Sequence, residues 1–153
     1  MTDKLATLQL LTPKAVLQPI SEEAIASVPQ SALEQGMVRI GHFPFNVGRE
    51  SRIAQKAGTF FRTERVKRTA QNSSNDLYLA DAGRPLNISR EHFRIELRDG
   101  IYMLVDRCSA CGTSVNNTHI GGRDIGGEIT LKDGDIIAVG VGTTPYRFKF
   151  ITL

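Results

Sequence analysis

Residues 93–105 read FRIELRDGIYMLV, and no other stretch restricts the fold so tightly. Phe93, Ile95 and Leu97 alternate with Arg94, Glu96 and Arg98, the period-two pattern of a strand with one buried and one solvated face. Asp99-Gly100 follows, a pair that tolerates the positive φ angles of a two-residue turn, and Ile101–Val105 lead back. The segment is an antiparallel hairpin.

Similar short runs fill the chain. Leu8–Leu11 and Met37–Ile40 are strand-like, and Phe43, Phe45 and Val47 share one face of a further strand. Asn116-Asn117 turns Ser114-Val115 back into Thr118–Ile120, because asparagine accepts the left-handed conformation. Lys132–Asp135 turns into Ile136–Val139, and Tyr146, Phe148 and Phe150 alternate with polar neighbours to the end. Many short strands separated by turns predict an all-β sandwich or barrel. Ser21–Gln35 opens with an N-cap and first-turn acids, so it predicts a short helix that Pro29 interrupts.

The 153 residues have room for one domain, here taken as 1–153 with 1–36 holding an N-terminal strand and the short helix. No window approaches the roughly 18 continuous apolar residues of a membrane span, and the MTDKLATLQLL start lacks a secretory pattern. The expectation is a soluble, cytoplasmic protein with no membrane partner. Charge is uneven: residues 49–74 carry seven basic and two acidic side chains, a local +5 against +3 for the whole chain. Arg49, Arg52, Lys56, Arg62, Arg65, Lys67 and Arg68 would attract phosphate-bearing partners or stand as a solvated basic loop. Residues 51–74 show no strand period and read as a long loop or a short amphipathic helix. Cys108 and Cys111 form one C-x-x-C with no second pair to complete four zinc ligands and no βαβ setting for redox chemistry, so no metal and no cofactor is expected.

Four pieces in order carry a resemblance: F-x-V-G-R at Phe45–Arg49, I-S-R-E-H at Ile88–His92, D-x-x-S-x-x-G-T-x-V-N from Asp106 to Asn116, and L-x-D-G-D at Leu131–Asp135. Together they resemble the forkhead-associated (FHA) family from about Met37 to Phe150. The resemblance implies a β-sandwich of about eleven strands whose loops at one end hold a phosphothreonine peptide. Such a ligand brings about −1.5 to −2 charges and three acceptor oxygens, which a guanidinium fork and a hydroxyl suit. By resemblance, Arg49 aims its fork at the phosphate, Ser89 donates from the next loop, Arg90 adds a contact, and Ser109, Ala110 and Cys111 occupy the peptide-facing third loop. Gly48, His92, Gly112, Thr113 and Asn116 would give the loops their shape, with His92 hydrogen-bonding beneath them.

The chain departs from the family in three places. Ala110 and Cys111 stand where donors are usual, and a methyl cannot donate while a thiol donates weakly. Gly48 and Ser89 are 41 positions apart because of the basic insertion, which would favour acidic or multiply phosphorylated targets. Asn116-Asn117 replaces an Asn-Gly turn, a mild change.

The resemblance thus implies a non-enzymatic adaptor for a phosphothreonine-containing protein, in a bacterial Ser/Thr-kinase signalling pathway or a secretion apparatus. A degenerate FHA domain serving as a phospho-independent scaffold is the second reading, motivated by Ala110 and Cys111. Nucleic-acid binding through 51–74, with Phe60 and Phe61 among the basic residues, ranks behind both. No spacing of His, Cys, Ser or carboxylates repeats a catalytic pattern.

Overall fold

The structure, a computed structural model, describes residues 4, 5, 7, 15–51, 53–56, 59–62 and 74–153. Strand β1 (Ala15–Pro19) precedes a short helix α1 (Glu22–Ser27), a 3-10 turn (Gln30–Ala32), β2 (Leu33–Glu34), β3 (Met37–Ile40) and β4 (Phe45–Arg49). After the ribbon strands β5 (Ile53–Lys56) and β6 (Thr59–Arg62) come β7 (Leu77–Leu79), β8 (Phe93–Arg98), β9 (Ile101–Asp106) and β10 (Thr113–Val115). Strands β11 (Thr118–Ile120), β12 (Gly127–Leu131), β13 (Ile136–Val139) and β14 (Arg147–Thr152) complete the chain.

A seven-stranded sheet in the order β11-β10-β13-β14-β1-β3-β2 faces a five-stranded sheet in the order β12-β9-β8-β4-β7. The sandwich thus has twelve strands among the described residues, close to the expected eleven. Its core is the inward half of each alternation: Phe93 and Ile95 from β8, Leu104 from β9, Ile137 and Val139 from β13, and Phe148 and Phe150 from β14, all at most 1% exposed. Tyr102 stacks edge-on to Phe150 and also meets Phe43, closing one end of that core.

The helix begins where its cap predicts: Ser21 Oγ accepts from Ala24 N–H, and Glu22 and Glu23 occupy the first turn. It ends before Pro29, which the 3-10 turn follows. Asp99-Gly100 adopts φ of 49° and 81°, and Asn116-Asn117 φ of 48° and 74°, as the two hairpin turns require.

Within residues 51–74, expected as loop or helix, Ile53–Lys56 and Thr59–Arg62 instead form an antiparallel ribbon pairing Ile53 with Arg62 and Lys56 with Thr59. The β-prone Ile, Thr and Phe residues outweigh the scattered charges there. The predicted strand Leu8–Leu11 lies outside the described residues, and β1, β7 and β12 carry pairing that the sequence pattern did not single out.

Candidate functional site

Three connections meet at one end of the five-stranded sheet: the exit of β4, the β7–β8 loop and the β9–β10 loop. Arg49 is the last residue of β4 and is held from several sides. Its backbone N–H donates to Ser89 O at 2.9 Å, its Nε donates to Ile88 O at 2.8 Å, and its Nη1 reaches Glu50 O at 3.3 Å. The guanidinium plane is therefore fixed in advance, and the residue is only 7% exposed. Gly48 is obligatory beside it, because a Cβ there would lie 2.0 Å from Arg90 O.

Ser89 sits opposite. Its hydroxyl accepts from Ala110 N–H at 3.0 Å, which joins the second loop to the third. Its own N–H donates to His92 Nδ1 at 2.9 Å, so the proton of the neutral ring resides on Nε2, 2.7 Å from Gly112 O. His92 is fully buried, and burial pushes its pKa down, with the Gly112 carbonyl and the charges of Asp106 and Asp81 pulling the other way. Its two ring nitrogens thereby link the second loop to the third. Gly112 O also accepts from Gly140 N–H at 2.9 Å, which ties in the β13–β14 loop.

A buried carboxylate organises the third loop. Asp106 accepts from Ser109 N–H at 2.8 Å, Ser109 Oγ at 2.6 Å and Thr113 Oγ1 at 2.8 Å. Ser109 Oγ in turn accepts from Gly112 N–H at 2.9 Å. Ser109, expected to face the peptide, is therefore fully buried with its hydroxyl committed inward, alongside Thr113. Ala110 is exposed and Cys111 half-buried. Burial, with the nearby Asp81 charge, pushes the Cys111 thiol up, so it stays protonated at neutral pH, 3.5 Å from Leu86 O. Cys108 is a free exposed thiol. Among the described residues no group of three or more His, Cys, Asp or Glu side chains is arranged to hold a metal.

The second loop has its own carboxylate, which sequence reasoning missed. Asp81 accepts from Gly83 N–H, Asn87 N–H, Ile88 N–H and Tyr146 Oη within 2.7–2.9 Å. Burial raises its pKa, but the four donors outweigh this and hold it below the ordinary aspartate value. Asn75 was missed as well: its Nδ2 donates to Arg90 O at 2.8 Å and its Oδ1 accepts from Arg107 Nη1. Asn116 lies away from these loops, where its side chain ties the β10–β11 hairpin to Asp135 and Ile136.

The FHA domain family model matches residues 68–140. No curated protein matches the sequence. Solved structures of FHA domains share the fold. The FHA domain of an Arabidopsis thaliana hypothetical protein superposes with a TM-score of 0.54 at 21% identity, covering 94% of this chain and 88% of its own. A yeast splicing factor that integrates into the RES complex gives 0.55 at 19% identity, covering 91% and 79%. A structure from work on phosphothreonine-dependent FHA domain interactions gives 0.51 at 17% identity, covering 91% and 96%.

Proposed function

We propose, from the match of the FHA domain family model to residues 68–140, that the chain is an FHA domain that binds phosphothreonine peptides at Arg49 and Ser89 and acts as a non-enzymatic adaptor. The observation that carries this reading is the pairing of those two residues across adjacent loops: Arg49 N–H bonds Ser89 O at 2.9 Å, and the guanidinium is oriented by Ile88 O before any ligand arrives. A site already ordered loses less side-chain entropy on binding. A fork and a hydroxyl at adjoining positions also match the oxygens of a phosphate. Phosphothreonine-dependent interaction is what one of the similar solved structures is described by. Arg90 borders the same loop, and the exposed Ala110 and half-buried Cys111 form its peptide-facing rim. A kinase-dependent signalling pathway or a secretion apparatus is the setting that such an adaptor fits.

Calorimetric titration of phosphothreonine peptides and their unphosphorylated twins tests this. Wild type should bind only the phosphorylated member, and Arg49→Ala should weaken it by at least about tenfold, the scale of one charge-assisted contact. Equal binding of both members, unchanged in Arg49→Ala, would favour the second reading, a scaffold that ignores phosphorylation. The methyl of Ala110 and the low exposure of Arg49 favour that alternative.

A further inference from the structure

The outer face of the seven-stranded sheet holds a pocket of about 290 Å³ beside the third loop. Strand register sets its floor: His119 pairs with Ser114, Ser114 with Ala138, and Ala138 with Arg147, so one row of outward side chains crosses β11, β10, β13 and β14. Asn117 closes one side, and Cys111 with Val141 and Gly142 the other. The lining has donors and no carboxylate. Arg147 is half-buried, and among the described residues its guanidinium has no hydrogen bond or ion pair; its backbone alone is engaged, the N–H donating to Ser21 Oγ and the carbonyl accepting from Ile20 N–H. His119 Nδ1 and Ser114 Oγ satisfy each other at 3.0 Å.

This pocket is built against the candidate site. A Cβ at Gly112 would lie 2.3 Å from His119 Nε2, so the imidazole wall packs directly on the loop that His92 clamps. Ala110 faces Ser89, and the next residue, Cys111, lines the pocket. A half-buried guanidinium over a small alanine floor gains charge-assisted, potentially bidentate bonds from an anion, whereas an apolar side chain would desolvate it without a partner.

We propose that this pocket takes a second anionic group, a carboxylate or a phosphate, on the same phosphothreonine ligand, so that the peptide is anchored at two points. The proposal rests on the phosphopeptide reading above. It places the acidic preference on Arg147 rather than on the basic insertion.

The test uses the full chain and phosphothreonine peptides in a neutral background, with Asp, Glu or phosphoserine walked along the positions on both sides, read by fluorescence anisotropy at physiological salt. At one position the acidic peptide should bind about tenfold tighter than its neutral parent, as expected of a new charge-assisted contact. Arg147→Ala and, independently, Ala138→Leu, which fills the floor, should erase that gain while leaving the neutral parent within about twofold, a difference under half a kcal/mol. The Asp, Glu and phosphoserine arms identify the preferred anion. A gain at no position, or one that survives both variants, overturns the proposal and leaves the phosphopeptide reading intact. Indifference of every peptide to its phosphothreonine sinks both.

Discussion

Asp106 and Asp81 do the same work in neighbouring loops and are built differently. Asp106, 3% exposed, gathers three donors from within seven residues of itself, so the third loop closes around its own carboxylate. Asp81, 7% exposed, takes three backbone donors from the second loop but also a hydroxyl from Tyr146, which lies 65 residues away on the opposite side of the sandwich. One loop is folded by local chemistry and the other is hung from the core. The first should be the more cooperative unit, because removing its centre strands several buried polar groups at once.

The largest effect expected is that of Asp106→Ala, which leaves a backbone N–H and two hydroxyls without their acceptor and adjoins His92. It should cost about 3–4 kcal/mol in urea unfolding, since each stranded buried group costs about 1–3 kcal/mol and the hydroxyls can partly reorient. Asp81→Ala should cost about 2–3 kcal/mol, less because the exposed part of its loop can recruit water. Equal costs would break the contrast between a local and a suspended loop. Phosphopeptide affinity sharpens it: Asp81→Ala should loosen Ser89 and weaken binding more per unit of stability lost than Asp106→Ala does.

The pH dependence divides the same pair of loops from a third position, His92, which bridges them. Its pKa is lowered in the folded protein, chiefly by burial, so below the ordinary histidine value of about 6.5 the unfolded chain binds a proton that the folded one refuses. Stability should therefore fall as pH drops from about 7 to 5, by at most about 2 kcal/mol for this group. Asp81 works at lower pH. Its depressed pKa contributes stability that is fully present above the ordinary aspartate value near 4 and is lost as pH falls through the folded value. Urea midpoints at pH 7.5 and 5, for wild type and His92→Gln, check the first window. A variant as pH-sensitive as wild type would remove His92 from that account. Stability is the better readout, because the phosphate of a ligand titrates near pH 6 as well.

What the sequence made legible follows the same division. Local patterns were readable: the Phe93–Val105 hairpin and the Asn116-Asn117 turn, while Gly48, Arg49, Ser89, His92 and Gly112 were brought together by the motifs that resemble the FHA family. Strand β7 was hidden because three residues carry little period, and its parallel pairing with β4 needs no adjacent turn. Ser109 was read as facing the peptide because its place in the motif does not reveal which way its hydroxyl points; Asp106, three residues earlier, draws it inward. Asn75, joining Arg90 and Arg107 across 15 and 32 positions, left no local signal. Nor did Asp81, whose most distant partner arrives only when the two sheets pack.

The smallest effect expected tests that suspension directly. Tyr146→Phe removes one hydroxyl, leaves the ring in the core, and deprives Asp81 of one of four donors. It should cost about 1 kcal/mol, rising toward 2 if the hydroxyl's bond to an ionised acceptor is worth more than a neutral one. In the background of Asp81→Ala the same substitution should cost nearly nothing, giving a coupling energy of about 1 kcal/mol in a double-mutant cycle. Additivity would mean that the second loop does not hang from the core through this bond, and that Asp81 is a local organiser like Asp106. Coupling would mean that the geometry of Ser89 is set in part by Tyr146, the residue that leads into β14 just before Arg147, where the pocket row ends.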